Sequence, residues 1–161
     1  MAKLPKLIEP NSQKKIGGIQ IPEELYWVLD YPSPLAGMSY PKRSTPWVAL
    51  KDAGFTSLIS LEPNSFDSAP LEIVFCEKLQ DLYGGITPRN PNEEKQRIIR
   101  AVKNAMAVLL KGEGVLVHCY GGTGRTGTVI GCVLRELGYS DDETIKYLDR
   151  VQKARGRKKM A

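Results

Sequence analysis

The apolar residues of this chain gather in short runs divided by turn-forming residues, and the spacing inside each run assigns its element. YWV (26–28) and PLAG (34–37) read as short strands separated by the turn-rich DYPSP. Thr45 followed by Pro46 has the form of an N-cap with proline at the first helical position, and Gly54 supplies a stop, so a short helix is expected over 46–53. FTSLISL (55–61) predicts a buried strand and LEIVFC (71–76) another, with EPNSFDSAP as the loop between them. The glycines and prolines of EKLQDLYGGITPRNP then predict a long surface loop.

The clearest helix follows. Ile98, Val102, Ala105, Met106 and Leu109 recur at helical spacing while Arg97, Arg100, Lys103 and Lys111 face elsewhere; Asn90 and Pro91 start it and Gly112 ends it. GVLVH (114–118) is short and β-branched, which predicts a central strand. The next helix, about 125–137, is apolar on nearly every side through Val129, Ile130, Cys132, Val133 and Leu134, and is expected to be buried. Ser140 and Glu143 form a capping box for a last helix that runs to about Arg155. Strands separated by helices imply right-handed crossovers. The expected fold is therefore α/β: a single domain over 25–155 with a mostly parallel central sheet of four to five strands and helices on both faces. Residues 1–24 read as a basic N-terminal arm and 156–161 as a basic C-terminal tail.

Composition narrows the function. With 161 residues, 42% of them apolar and 25% charged, the chain can bury one ordinary core and carries no compositional mark of disorder. No apolar run approaches the roughly 20 residues that cross a bilayer, and the N-terminus lacks the apolar stretch of a signal peptide. A soluble, cytoplasmic protein without a membrane partner is expected. Cys76, Cys119 and Cys132 are odd in number and unevenly spaced, which argues for a reducing compartment. With His118 as the sole histidine and no C-x-x-C pair, neither a metal nor another cofactor is expected. The formal charge of +5 favours a phosphorylated or polyanionic partner. Much of the excess lies at the ends, on Lys3, Lys6, Lys14 and Lys15 and again on Arg150, Lys153, Arg155, Arg157, Lys158 and Lys159, where it reads as solvated surface. Aromatic residues do not interleave with these clusters, so nucleic acid is not the expected partner.

The segment VHCYGGTGRTG (117–127) carries the chemistry. A loop that leaves a strand and enters a helix directs several backbone N–H groups at one point, and the helix dipole adds to their field; such a point holds an oxyanion. Gly121, Gly122 and Gly124 let the backbone wrap closely, the amides of Tyr120 to Gly124, Thr123 included, would line the cradle, and Arg125 would close it with a forked pair of hydrogen bonds. A nucleotide-binding loop counted from Gly122 to Gly127 would need lysine at 128, where Thr128 stands. Cys119 turns binding into chemistry. An ordinary thiol is only a few per cent ionised at pH 7, whereas amides, dipole and a guanidinium favour the thiolate, placing a nucleophile at the bottom of a phosphate cradle. Thr126 would donate its hydroxyl to the sulfur as it leaves. His118 would orient the loop through its backbone. It is no protease base, because its side chain should point away from that of Cys119.

The pattern H-C-x-x-G-x-x-R-[ST]-G, here HCYGGTGRTG, resembles the signature of the protein tyrosine and dual-specificity phosphatases, and the Tyr-Gly-Gly after the cysteine is most similar to the kinase-associated branch of that family. The resemblance extends from about Trp27 to Arg155. It implies hydrolysis of phosphotyrosine, extending to phosphoserine and phosphothreonine, in protein partners through a phosphocysteine intermediate, without metal. It also implies a general-acid aspartate upstream of the cysteine: Asp81, with Asp67 in reserve. Family members often carry Asp-Gly-Gly-x-Pro there, where this chain has the longer DLYGGITP. Phosphoinositide or RNA 5′-phosphate hydrolysis, sulfur transfer and non-catalytic phosphate binding are the alternatives; the absence of lysine or arginine between Cys119 and Arg125 counts against a multiply phosphorylated head group. Lys42 and Arg43 are candidates to meet substrate at the rim. Cys76 is either a packed strand thiol or a partner for Cys119 in a regulatory disulfide.

Overall fold

GVLVH becomes the middle of the sheet. The computed structural model describes residues 4–63, 66–81 and 87–157; the glycine pair at 84–85 of the expected long loop, positions 64–65 and the end of the basic tail lie outside them. The five strands are β1 (Leu25–Leu29), β2 (Leu35–Met38), β3 (Phe55–Ser60), β4 (Glu72–Cys76) and β5 (Gly114–His118), in spatial order β1-β2-β5-β3-β4. β1 runs antiparallel to β2, and all other neighbours are parallel. Every residue of β5 is buried, which accounts for its unbroken apolar sequence.

The helices are α1 (Trp47–Asp52), α2 (Pro91–Leu110), α3 (Gly124–Leu137) and α4 (Asp141–Ala154). One sheet face is covered by α2, α3 and α4, whose Ala101, Ala105, Val129, Val133, Tyr147 and Val151 pack with Val115 and Val117. The other face is closed by α1 and by the N-terminal arm, through Leu50, Ile16 and Ile21 against Phe55, Leu58 and Leu116. Full burial of each Val, Leu, Ile or Phe side chain among these contributes about 1.5 to 3 kcal/mol. α4 begins as expected, with Ser140 Oγ accepting from the Glu143 N–H at 3.1 Å. α1 does not: Thr45 Oγ1 accepts from the Lys42 N–H at 2.8 Å, so its capping oxygen serves the preceding turn and Pro46 becomes the N-cap.

The arm is integral to the fold. Leu7 is buried in the larger core, and the Ile8 N–H donates to Val28 O at 2.9 Å. The Gln13 carboxamide imitates a neighbouring strand, with Oε1 accepting from the Trp27 N–H at 2.7 Å and Nε2 donating to Trp27 O at 3.0 Å. These bonds occupy the outer edge of β1, which would otherwise be open to pairing. Tyr147 and Tyr139 donate to Ile8 O and Pro5 O from the other side.

This arrangement creates the site. The chain passes from β2 through α1 to β3, leaving a gap that β5 later fills; α1 lies on one face and α2 on the other, so the connections diverge above the carboxyl end of β5. Ligands of parallel sheets bind in such crevices. Gly37 of β2 fits under Tyr26 of β1: a Cβ there would lie 2.4 Å from the ring's Cζ, and the fully buried ring has no room to retreat. Gly37→Ala is therefore expected to lower unfolding free energy in urea by about 1 to 3 kcal/mol, with the Tyr26 hydroxyl displaced from the loop it supports.

Candidate active site

Cys119 lies on the loop between β5 and α3, Arg125 follows in the first turn of α3, and Asp81 meets Arg125 from the segment before α2. Cys119 is buried, and its Sγ accepts the Gly122 N–H at 3.3 Å. Gly122 has φ +75°, and a Cβ there would lie 2.8 Å from the Met38 carbonyl carbon, so this position requires glycine. Gly121 and Gly124 do not, since both have ordinary φ and a Cβ would meet nothing within 4 Å. The fold itself therefore demands glycine at Gly122, while Gly121 and Gly124 leave their side-chain space open.

The loop is held by its carbonyls. His118 Nδ1 lies 3.1 Å from Cys119 O; the Tyr40 N–H donates to Tyr120 O at 2.9 Å; Arg155 Nη2 donates to Gly121 O at 3.1 Å; and Gly122 O accepts from the Tyr26 hydroxyl at 2.9 Å and from Arg155 Nη1 at 3.2 Å. A trans peptide sets each N–H opposite the preceding carbonyl. Binding four successive carbonyls from outside therefore turns the following amides, Tyr120 to Thr123, toward the concave side, where α3 presents its positive end. Tyr120 itself projects outward and is 72% exposed, so its contribution is backbone.

Arg125, in the first turn of α3, is buried, with Nη1 donating to Leu79 O at 3.1 Å, Leu61 O at 3.4 Å and Glu62 Oε1 at 3.1 Å. Its Nη2 lies 3.7 Å from Asp81 Oδ2, and Asp81 is 62% exposed. Among the described residues Nε and Nη2 make no hydrogen bond, and Nη2 keeps only the long ion pair with Asp81, so the two form the forked edge. Asp67 instead serves its own turn, accepting the Ala69 N–H at 3.0 Å. Thr126 is fully buried, and its hydroxyl has no hydrogen-bond partner among the described residues.

His118 is buried between Ser60, whose Oγ lies 2.8 Å from Nε2, and the rings of Tyr40 and Phe66. A carbonyl can only accept, so Nδ1 carries the proton toward Cys119 O, and Nε2 accepts from the Ser60 hydroxyl. Burial, aided by Arg125 and opposed by the Cys119 carbonyl and Glu62, holds its pKa down to about 4.

Sequence reasoning missed Glu62, Tyr26 and Arg155. Glu62 had a signal, a charged residue just past the carboxyl end of a strand beside the centre. Arg155 had one too. It continues the buried stripe Tyr147, Leu148, Val151 of α4, yet its basic neighbours made it look like solvated tail; it is buried. Lys42 and Arg43 are exposed, with Lys42 paired to Glu24. Cys76 is exposed rather than packed. β3 lies between β4 and β5, with Ser60 opposite both Cys76 and His118. Those strands are thus about 9 to 10 Å apart, beyond the roughly 7 Å that a disulfide can span, so a bond from Cys76 to Cys119 does not fit this arrangement. Among the described residues no group of acidic, cysteine or histidine side chains could hold a metal, and no helix is long and apolar enough to cross a membrane.

A mostly parallel sheet with a cysteine- and arginine-bearing loop at the carboxyl end of its central strand is the arrangement expected of the cysteine-dependent phosphatases. The chain belongs to the PTP-SAK family, described as Swiss Army Knife protein, DSP-PTPase phosphatase domain, whose family model matches residues 22–160. Its fold is similar to that of kinase associated phosphatase carrying serine in place of its catalytic cysteine, at 19% identity over 86% of each chain and a TM-score of 0.58. It is also similar to the core catalytic domain of the PP-IP phosphatase SIW14 from S. cerevisiae in complex with citrate, at 15% identity over 94% of this chain and 82% of that one, TM-score 0.56. A third similar structure is PTPMT1 in complex with PI(5)P, at 17% identity over 79% of this chain and 82% of that one, TM-score 0.51.

A histidine kept neutral in the fold gives stability that is complete above the unfolded pKa and is lost as pH falls through 6.5 toward about 4. The interval corresponds to about 3 kcal/mol. Urea unfolding at pH 7.5 and pH 5 should show this acid-side loss in the wild type, and His118→Asn should flatten the slope over that range.

Proposed function

We propose that the protein is a phosphomonoester hydrolase acting on phosphotyrosine, and also on phosphoserine and phosphothreonine, in protein substrates. The observation that carries this reading is the Cys119 sulfur at the foot of a loop whose amides converge beside the forked edge of Arg125. The phosphoryl oxygens would take the amides of Tyr120 to Gly124 and the Nε and Nη2 hydrogens of Arg125. Cys119 Sγ attacks phosphorus in line, the P–O ester bond breaks, and Asp81 gives its proton to the departing oxygen, leaving phosphocysteine. Water then attacks phosphorus, Asp81 takes its proton, and the S–P electron pair returns to sulfur.

Two further observations support the assignments. Asp81 is exposed beside Arg125, whereas Asp67 is bonded to its own turn. An unpaired buried hydroxyl costs about 1 to 3 kcal/mol, so the free Thr126 hydroxyl is suited to a bond that forms when sulfur leaves. His118 supports the loop rather than moving a proton, since its ring is engaged with Ser60 and Cys119 O.

The rim favours a protein side chain over a highly charged head group. Tyr120 to Gly124 include no lysine or arginine, and Tyr120 stands with Tyr40 at a ring separation of 6.5 Å. Aromatic edges of this kind suit an aryl phosphate. On a phosphotyrosine peptide, Cys119→Ser should abolish phosphate release, and Asp81→Asn should lower kcat by about 10² to 10⁴-fold. Turnover that survives Cys119→Ser would sink the mechanism. Faster release from phosphoinositide micelles than from any phosphopeptide would move the substrate class.

A further inference from the structure

Arg155 is buried at the C-cap of α4 without a carboxylate among its hydrogen-bond acceptors. Its Nε donates to Pro22 O at 2.9 Å, and Nη2 donates to Glu23 O at 2.8 Å as well as to Gly121 O. Its Nη1 donates to Gln152 Oε1 at 2.6 Å and to Gly122 O. The guanidinium lies 4.7 Å from the Tyr26 ring centroid, a cation–π contact. Burying a cation costs several kcal/mol unless a counter-charge offsets it. Here the hydrogen-bond acceptors are neutral, the Glu23 carboxylate acts on the guanidinium only through space, and on the far side of the Gly121 and Gly122 peptides lies the Cys119 sulfur.

We infer that Arg155 is a positioning residue for the reaction: it fixes and polarises the Gly121 and Gly122 peptides from behind, so that the anion in the loop is its counter-charge. Each carbonyl it binds is rigidly coupled to an N–H aimed the opposite way. Gly121 O drawn toward Arg155 sends the Gly122 N–H to Cys119 Sγ, and Gly122 O drawn toward Arg155 and Tyr26 sends the Thr123 N–H into the cradle. A positive charge at the oxygen end of a peptide also draws electron density from its nitrogen end and strengthens that donor. The position is fitted to arginine. Nη1 and Nη2 reach two different carbonyls while Nε holds Pro22 O, which a single ammonium cannot reproduce. Gly122 is fitted to it in turn, because a Cβ there would lie 2.9 Å from Arg155 Nη2. Burial pushes the Tyr26 hydroxyl well above the ordinary tyrosine range, so it stays protonated and acts with Arg155 as a second donor to Gly122 O.

The inference rests on the loop being an oxyanion cradle, and the test separates the two. Tungstate affinity by titration calorimetry, kcat/KM on p-nitrophenyl phosphate and thermal melting would be measured for wild type, Arg155→Met, Arg155→Lys and Tyr26→Phe. Folded Arg155→Met should bind tungstate at least about tenfold more weakly and lose about 10- to 100-fold in kcat/KM, the scale of a displaced reacting group. Arg155→Lys should recover only part of both. A merely structural role would lower the melting temperature and leave the tungstate affinity of the folded variant unchanged. Folded Arg155→Met within twofold of wild type in both tungstate affinity and kcat/KM overturns the inference. If Arg155→Met does not fold, Tyr26→Phe decides: a loss of about two- to tenfold in tungstate affinity supports bracing of Gly122 O, and wild-type affinity overturns it. A wild type that binds tungstate without releasing phosphate ends the hydrolase reading and leaves the Arg155 comparison intact; one that binds no tungstate removes both.

Discussion

Everything at the catalytic end depends on four consecutive carbonyls, Cys119 to Gly122, being tied on the convex side of their loop. The donors come from β5, the end of β2, β1 and the end of α4, so no element builds the cradle alone. Because the peptide group is rigid, outward carbonyls and inward amides are a single geometric fact. A preorganised ring of donors stabilises an oxyanion without rearranging when charge develops. The sheet, the crossovers and the N-terminal arm matter to function chiefly by holding those donors in register.

The site places two buried guanidiniums around one loop. Arg125 has a carboxylate, Glu62, and the Leu61 and Leu79 carbonyls to hold one side of its fork. Arg155 is surrounded by neutral acceptors on the opposite side. Carboxylates lie on the Arg125 side, at Glu62 and Asp81, and the buried guanidiniums have little room to relax. His118 is kept neutral by burial, which spares the site a further charge and leaves the ring as a structural link from Ser60 to Cys119 O.

Similar structures include a kinase associated phosphatase, a PP-IP phosphatase and a protein bound to PI(5)P. A shared fold therefore leaves the leaving group open. This chain's own rim is aromatic and largely uncharged. The loop side chains are neutral, Tyr120 projects from it, and Tyr40 and Phe66 pack edge-on around His118. Lys42 is already paired with Glu24, so the nearest basic candidate from the sequence is partly neutralised by its own neighbour.

The sequence by itself determined the order of elements and the reactive loop. Strand and helix periodicity is local, and a cysteine, glycines and an arginine at fixed spacing between a strand and a helix constrain one another within a single turn. Gly122 could be suspected in that way. That the fold itself leaves no space for a side chain at Gly122 was decided by Met38 and Arg155, which approach from distant segments. Thr45 misled for a related reason, since a hydroxyl that can cap a helix can equally close the turn before it. Charge misled at Arg155. A basic run looks solvated until packing shows which of its members lies on the buried stripe. Only tertiary structure joined Tyr26 and Arg155 to the Cys119 loop and Glu62 to Arg125, because burial and hydrogen-bond partners are properties of which surfaces meet, and residues far apart in a chain meet only when the whole sheet has formed.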